Sequence, residues 1–66
     1  MKRMWLWKIR RDRGITQAAA AEELGLSLSG YAKIEEGLRN PGVQKAKQIA
    51  KAWGFAWAKF FDEERR

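Results

Sequence analysis

The stretch TQAAAAEELGLSLSGYAKIEEG, residues 16–37, decides the fold of this chain. It divides into two short segments of helical character on either side of Gly25. Thr16 and Ser27 precede the two segments, and both are good N-cap residues because their hydroxyls accept hydrogen bonds from the first N–H groups of a helix. Glycine ends a helix readily because it adopts the left-handed backbone conformation. The pattern predicts helices over about 17–24 and 27–36, joined by a tight turn.

Two short helices joined by a glycine-containing turn form a helix-turn-helix. Ala21 is small where the helices would cross, and Leu26, Tyr31 and Ile34 would hold the second helix against the first. The outer face of that second helix can then lie in the major groove of DNA. The residues on this face are Ser27, Leu28, Ser29, Ala32 and Lys33.

Three more segments have helical patterns. The first covers about 4–13, before Gly14; the next covers 43–53, after Pro41; the last covers about 56–63, after Gly54. Strand-like alternation is not sustained in any window. Helices this short persist only by packing their apolar stripes together. The fold class predicted is therefore all-α, with five short helices in a single domain spanning 1–66.

The composition argues against an enzyme. The chain has no Cys and no His, which removes thiolate and imidazole as metal ligands, nucleophiles or general bases. The acidic residues show no spacing typical of a carboxylate pair. We therefore expect no catalytic residue, no metal, no cofactor and no small-molecule ligand. No segment approaches the roughly 20 apolar residues that cross a membrane, and we expect a cytoplasmic, nucleoid-associated protein.

Charge points to an anionic partner. Lys and Arg number 14 against 8 Asp and Glu, a net charge of +6, which is typical of proteins that meet nucleic acid or a membrane surface. The apolar stripes fit a core better than a membrane. Residues 1–13 hold six basic residues and one acidic, residues 14–37 hold one basic and four acidic, and residues 38–52 hold four basic. The helix-turn-helix is therefore not basic itself, but the segments on either side of it are. This charge pattern is typical of proteins whose flanks bind phosphates while one helix contacts the bases.

These features resemble the lambda-repressor/Cro (XRE-like) type of helix-turn-helix DNA-binding domain, over about 6–61. The resemblance implies a compact five-helix domain with the helix-turn-helix at its second and third helices. It also implies a dimeric repressor, of phage or mobile-element type, that binds a palindromic double-stranded DNA operator. The matching residues are Arg10, Gly14, Ile15, Thr16, Gln17, Ala21, Leu24, Gly25, Leu26, Ser27, Tyr31, Ile34, Glu35, Gly37, Arg39, Asn40, Pro41, Ile49, Ala50 and Gly54.

The resemblance also assigns roles to residues. Gln17 would meet a phosphate or the edge of the site, and Arg10 would pair with Glu35 beneath the DNA-facing surface. Groove contacts would come from Ser27, Leu28, Ser29, Ala32 and Lys33. Leu28 departs from the long polar residue common at its position; it would pack on a thymine methyl or be a chance exposed residue. Gly30 is also a departure, at a cost of about 1 kcal/mol of helix stability.

A phosphate clamp is expected between the third and fourth helices. Arg39 and Asn40 lie there, with Lys45 close by. The first backbone N–H groups of the fourth helix, near Val43 and Gln44, would point towards the same phosphate because a helix N-terminus favours anions.

Aromatic residues are frequent near the two ends of the chain. Trp53 lies on the apolar stripe of the fourth helix and is predicted to be core, whereas Trp5 and Trp7 would either extend the core or be partly exposed. Large aromatic side chains commonly anchor interfaces. We expect a homodimer contact in the fifth helix, through Trp57, Phe60 and Phe61. Alternatively, these three complete the monomer core, or the aromatic helix makes the chain a protein-binding module such as an antitoxin or anti-repressor.

Overall fold

The computed structural model describes residues 2–62, and five helices account for its regular structure. They are α1 (Met4–Asp12), α2 (Gln17–Glu23), α3 (Leu28–Glu35), α4 (Val43–Trp53) and α5 (Lys59–Asp62). No strand occurs in this part of the chain. The all-α class is confirmed, and the first four helices end within a residue of their predicted bounds. None of the helices in residues 2–62 is long and apolar enough to cross a membrane.

The two predicted N-caps are present. The Thr16 hydroxyl accepts a hydrogen bond from the Ala19 N–H at 3.1 Å, and the Ser27 hydroxyl accepts one from the Gly30 N–H at 2.9 Å. Between the two helices Gly25 has a φ of +68°, a conformation that favours glycine. The sequence therefore determines the start of each motif helix and the turn between them by local chemistry.

Gly30 lies next to the hydroxyl group that caps α3. A Cβ at this position would lie 3.0 Å from the Ser27 hydroxyl oxygen, which is the atom that caps α3. A larger residue would require this hydroxyl to shift by a few tenths of an ångström. The cap itself does not require glycine, because the Ala19 N–H makes the same bond to the Thr16 hydroxyl.

The fifth helix is shorter than predicted. The pattern indicated 56–63, but α5 begins at Lys59, and residue 63 lies outside the described residues. A turn precedes it, because the Lys59 N–H donates to the Ala56 carbonyl at 3.0 Å. Gly54 ends α4 with a φ of +78°, and the Phe55 ring then packs 5.6 Å from Phe60. The chain needs this turn to bring Phe60 back to the core.

One hydrophobic core joins all five helices. Trp53 is part of it, as predicted. The Trp5 ring meets Phe55 and Phe60 edge-on, with centroids 5.2 and 5.1 Å apart, so Trp5 extends the core from the N-terminal side. Trp7 is half-buried and carries Lys2 and Arg11 over its ring. The buried members are Leu6, Ala20, Ala21, Leu24, Tyr31, Ile34, Ala46, Ile49, Trp53 and Phe60.

The expectation of a dimer contact is wrong for Phe60. This side chain is 0% exposed within the single chain, so it offers no surface to a second copy. It faces inward because the turn at 56–58 rotates α5 so that Phe60 lies against Trp5. Trp57, by contrast, is 37% exposed, and Phe61 is half-buried.

Phe60→Ala should destabilise the fold by about 3–5 kcal/mol, because it removes a fully buried ring and leaves a cavity. Urea denaturation followed by circular dichroism measures this change. Leu38→Ala is the control: Leu38 is 75% exposed, so its truncation should change stability by less than about 0.5 kcal/mol. Equal effects of the two substitutions would contradict the placement of Phe60.

Candidate nucleic-acid interface

The outer face of α3 is presented to solvent. Ser27, Leu28, Ser29 and Lys33 are exposed, while Ala32 is half-buried. Ser29 and Lys33 are four residues apart and therefore neighbours on one face of the helix. Leu28 is 53% exposed at the first turn of α3. The structure thus places the five predicted groove-facing residues along a single helix, from its N-cap at Ser27 to Lys33 in its last turn.

The opposite side of α3 is fastened by the carboxylate of Glu35. Arg10 Nε donates to Glu35 Oε1 at 2.7 Å, and Arg10 Nη2 donates to Oε2 at 3.1 Å. The Tyr31 hydroxyl donates to Oε1 at 2.7 Å, and Gln17 Nε2 donates to Oε2 at 3.0 Å. The predicted pair of Arg10 and Glu35 is therefore present as part of a larger network that links α1, α2 and α3.

Burial and hydrogen bonding shift the pKa values of the three ionisable side chains in this network. Burial by itself would raise the pKa of Glu35, but hydrogen bonds from Arg10, Tyr31 and Gln17 outweigh it and the pKa lies below its ordinary value. The hydrogen bond to Glu35 raises the pKa of Arg10. Burial raises the pKa of Tyr31, and the adjacent carboxylate raises it further. The network therefore holds one carboxylate, one guanidinium and one neutral phenol near neutral pH.

Gln17 has an inward role that the sequence did not indicate. It is half-buried at the start of α2, and its amide N–H2 group donates to Glu35. This bond fixes which end of the amide faces the network. The side chain therefore ties the N-terminus of α2 to α3, at the edge of the surface where a phosphate contact was expected.

The segment between α3 and α4 exposes the residues of the predicted clamp. Arg39, Asn40 and Gln44 are exposed. Gly42 precedes α4 and provides no side-chain cap, so the first N–H groups of α4 are not capped by their N-cap residue. The arrangement gives an arginine, an amide and a positive helix end along one stretch of chain.

Lys45 was expected beside the clamp, but its ammonium group bonds elsewhere. Its ammonium donates to the Leu24 carbonyl at 3.0 Å and to Gln48 Oε1 at 2.9 Å. Gln48 also donates to the Leu24 carbonyl, at 3.3 Å. The cation is held at the carboxyl end of α2 because the last carbonyl groups of a helix lack intrahelical donors.

Arg3 also belongs to this region, although the sequence pattern did not indicate it. Its guanidinium is buried and donates to backbone oxygens of Ile34 and Arg39 and to the side chain of Asn40. These acceptors lie 31 to 37 positions further along the chain. No local pattern could have indicated contacts across such a separation.

Glu35→Gln should remove the fall in the free energy of unfolding that the wild type shows at acid pH. The unfolded carboxylate takes up a proton near pH 4.5 and the folded one only at lower pH, so acid favours the unfolded chain. The wild-type free energy of unfolding is expected to be level above about pH 6 and to fall from about pH 5 downwards. The variant should lack this fall and should be less stable near pH 7 by about 3 kcal/mol, because Arg10 loses its charged partner.

Thermal and urea unfolding between pH 3 and 7 test this expectation. Glu36→Gln is the matched control, since Glu36 is exposed and adjacent in sequence. This variant should have the same free energy of unfolding as the wild type near pH 7, and the same fall at acid pH. A Glu35→Gln profile parallel to that of the wild type would contradict the stabilising role of the network.

Comparisons with known proteins agree with this geometry. The helix-turn-helix family model matches residues 8–60. An uncharacterised HTH-type transcriptional regulator of Bacillus subtilis, YqaF, is 38% identical over 63 residues, which cover 96% of this chain and 83% of the relative. The HTH-type transcriptional regulator PuuR of Escherichia coli is 31% identical over 61 residues, which cover 92% of this chain but 33% of PuuR. No solved structure gave a significant match. The chain therefore belongs to the helix-turn-helix family of DNA-binding transcriptional regulators, of the XRE type.

Proposed function

We propose that this chain is a sequence-specific repressor that places α3 in the major groove of double-stranded DNA. The observation that carries the proposal is the exposed face of α3, with Ser29 and Lys33 outward and Tyr31, Ile34 and Glu35 buried behind it. A helix fastened on one side and exposed on the other meets the requirement for direct base readout.

Different residues would supply specificity and affinity. Lys33 can donate to guanine, the Ser29 hydroxyl can bond a base or a phosphate, and Leu28 can pack on a thymine methyl. Arg39, Asn40 and the N-terminus of α4 would bind the phosphate backbone next to the groove. Repression then follows from occupancy, because a protein bound over a promoter blocks the polymerase.

A homodimer would give the operator two-fold symmetry. The Trp57 and Phe61 rings meet edge-on with centroids 5.8 Å apart, and the Lys47 ammonium lies 5.1 Å from the centre of the Trp57 ring. Such a partly exposed aromatic pair is the kind of anchor that dimer contacts bury. Two copies related in this way would read half-sites about 34 Å apart, or one helical turn.

Selection of bound DNA from a random pool tests the proposal. We expect a palindromic consensus and an affinity that falls steeply with salt, by a log–log slope of about −0.9 for each phosphate contacted. Lys33→Ala should weaken binding to the selected DNA by about 1–3 kcal/mol and relax the preference at one position of each half-site.

Lys51→Ala is the matched control for Lys33. It removes the same charge from an exposed residue in the last turn of α4, away from the N-terminus of that helix. It should lower affinity by at most a few tenths of a kcal/mol at 0.15 M salt, where exposed charges beyond about 8 Å are screened. Binding without sequence preference, or equal losses in the two variants, would overturn base readout by α3.

The dimer has its own test. Trp57→Ala should shift the monomer–dimer equilibrium towards monomer by at least about tenfold, because interface tryptophans commonly contribute 2 kcal/mol or more. Sedimentation equilibrium measures the shift. Trp7→Ala, which removes a half-buried tryptophan from α1, should leave the equilibrium unchanged. A Trp57→Ala protein that dimerises like the wild type would exclude this surface.

A further inference from the structure

Arg3 connects the N-terminal segment to both ends of the loop that follows α3. Its Nη1 donates to the backbone oxygens of Ile34 at 2.5 Å and Arg39 at 3.1 Å, and its Nη2 donates to Asn40 Oδ1. Its backbone N–H donates to the Glu35 carbonyl at 2.8 Å. A single residue thus contacts the last turn of α3 and the two loop residues expected to meet phosphate.

The guanidinium suits this position better than another cation would. It is planar and presents five N–H donors in a rigid fork, so it can serve acceptors from separate segments at once. The last carbonyl groups of a helix lack intrahelical donors and carry partial negative charge. The Phe60 ring lies 5.5 Å from the guanidinium carbon and holds it from the core side.

Arg3 does not itself face the DNA. The residue is 2% exposed, whereas Arg39 and Asn40, which it contacts, are exposed. Any effect of Arg3 on DNA binding must therefore pass through the backbone and side chain that it contacts, in the loop or in the last turn of α3. Without this contact the loop would have to lose its conformational freedom upon binding, at a cost to affinity.

We propose that Arg3 is the positioning residue for the phosphate clamp, holding Arg39 and Asn40 at a fixed place relative to α3 and to the start of α4. This inference rests on the proposed DNA-binding function. It assigns part of the DNA affinity to a buried residue of the N-terminal segment, before the helix-turn-helix begins.

Arg3→Met tests the role, because methionine keeps an unbranched apolar side chain beside Phe60 but has no side-chain N–H donors. Fluorescence anisotropy with the DNA selected by the wild type should show about tenfold weaker binding, the order of one lost phosphate contact. In an Arg39→Ala/Asn40→Ala background the same substitution should cost less than about twofold, and in a Lys33→Ala background it should again cost about tenfold, because only the clamp residues couple to Arg3.

Hydrogen exchange provides a readout that does not depend on DNA. In Arg3→Met the amide of Leu38, which donates to the Lys33 carbonyl at 2.9 Å, should exchange at least about tenfold faster relative to the α2 amides. Arg13→Met is the matched control. Arg13 contacts Glu23 and Trp53, at the far end of α4 from the clamp, so both readouts should stay at wild-type values.

The outcomes separate the two proposals. If the wild type selects DNA and a folded Arg3→Met protein binds it with wild-type affinity, or loses equal affinity in every background, the positioning role is overturned and DNA binding stands. If the wild type selects no DNA, the proposed function fails and this role fails with it. Should Arg3→Met not fold at 10 °C by circular dichroism, Arg3→Lys takes its place, because one ammonium cannot span the same acceptors, and the same results decide.

Discussion

The buried carboxylate of Glu35 is the group on which the arrangement of the helices depends. It lies in α3 and accepts hydrogen bonds from Arg10 of α1, Gln17 of α2 and Tyr31 of its own helix. An unpaired buried charge costs several kcal/mol, so a displacement of any one helix breaks a bond that the others cannot replace. Apolar packing has no such directionality. In a domain this small, the polar network fixes the orientation that the core alone would leave loose.

The same network has an electrostatic consequence for the exposed face of α3, the surface proposed to meet DNA. A carboxylate close beneath a surface that meets phosphates would repel them, but Arg10 neutralises Glu35 within hydrogen-bonding distance. The exposed side of α3 then offers Lys33 and two serine hydroxyls. Such a surface can contact base edges, while in the proposed complex the attraction for phosphates would come from residues next to it.

The sequence predicted what depends on neighbours along the chain and missed what depends on distant ones. Thr16 and Ser27 cap helices by contacts three residues away, so their pattern sufficed. The predicted start of α5 was wrong because the apolar spacing at 56–61 fits a helix. Only the contact between Phe60 and Trp5 shows that a turn precedes this helix. The same spacing could not separate Phe60, which is core, from Trp57, which is partly exposed.

The basic residues near the N-terminus show most clearly that the sequence does not reveal contacts between distant residues. Residues 1–13 hold six basic residues, and the sequence assigned their charge to a flank facing phosphate. Arg10 is bound to Glu35, Arg13 pairs with Glu23, and Arg3 is buried against the α3 carboxyl end. These three arginines make contacts within the chain: the charges of Arg10 and Arg13 are each paired with a carboxylate, and the guanidinium of Arg3 is buried against carbonyl oxygens. The positive field available to DNA is therefore weaker on the N-terminal side than the composition suggests. If the proposed phosphate clamp exists, exposed residues such as Arg39 would have to supply a correspondingly larger share of the attraction.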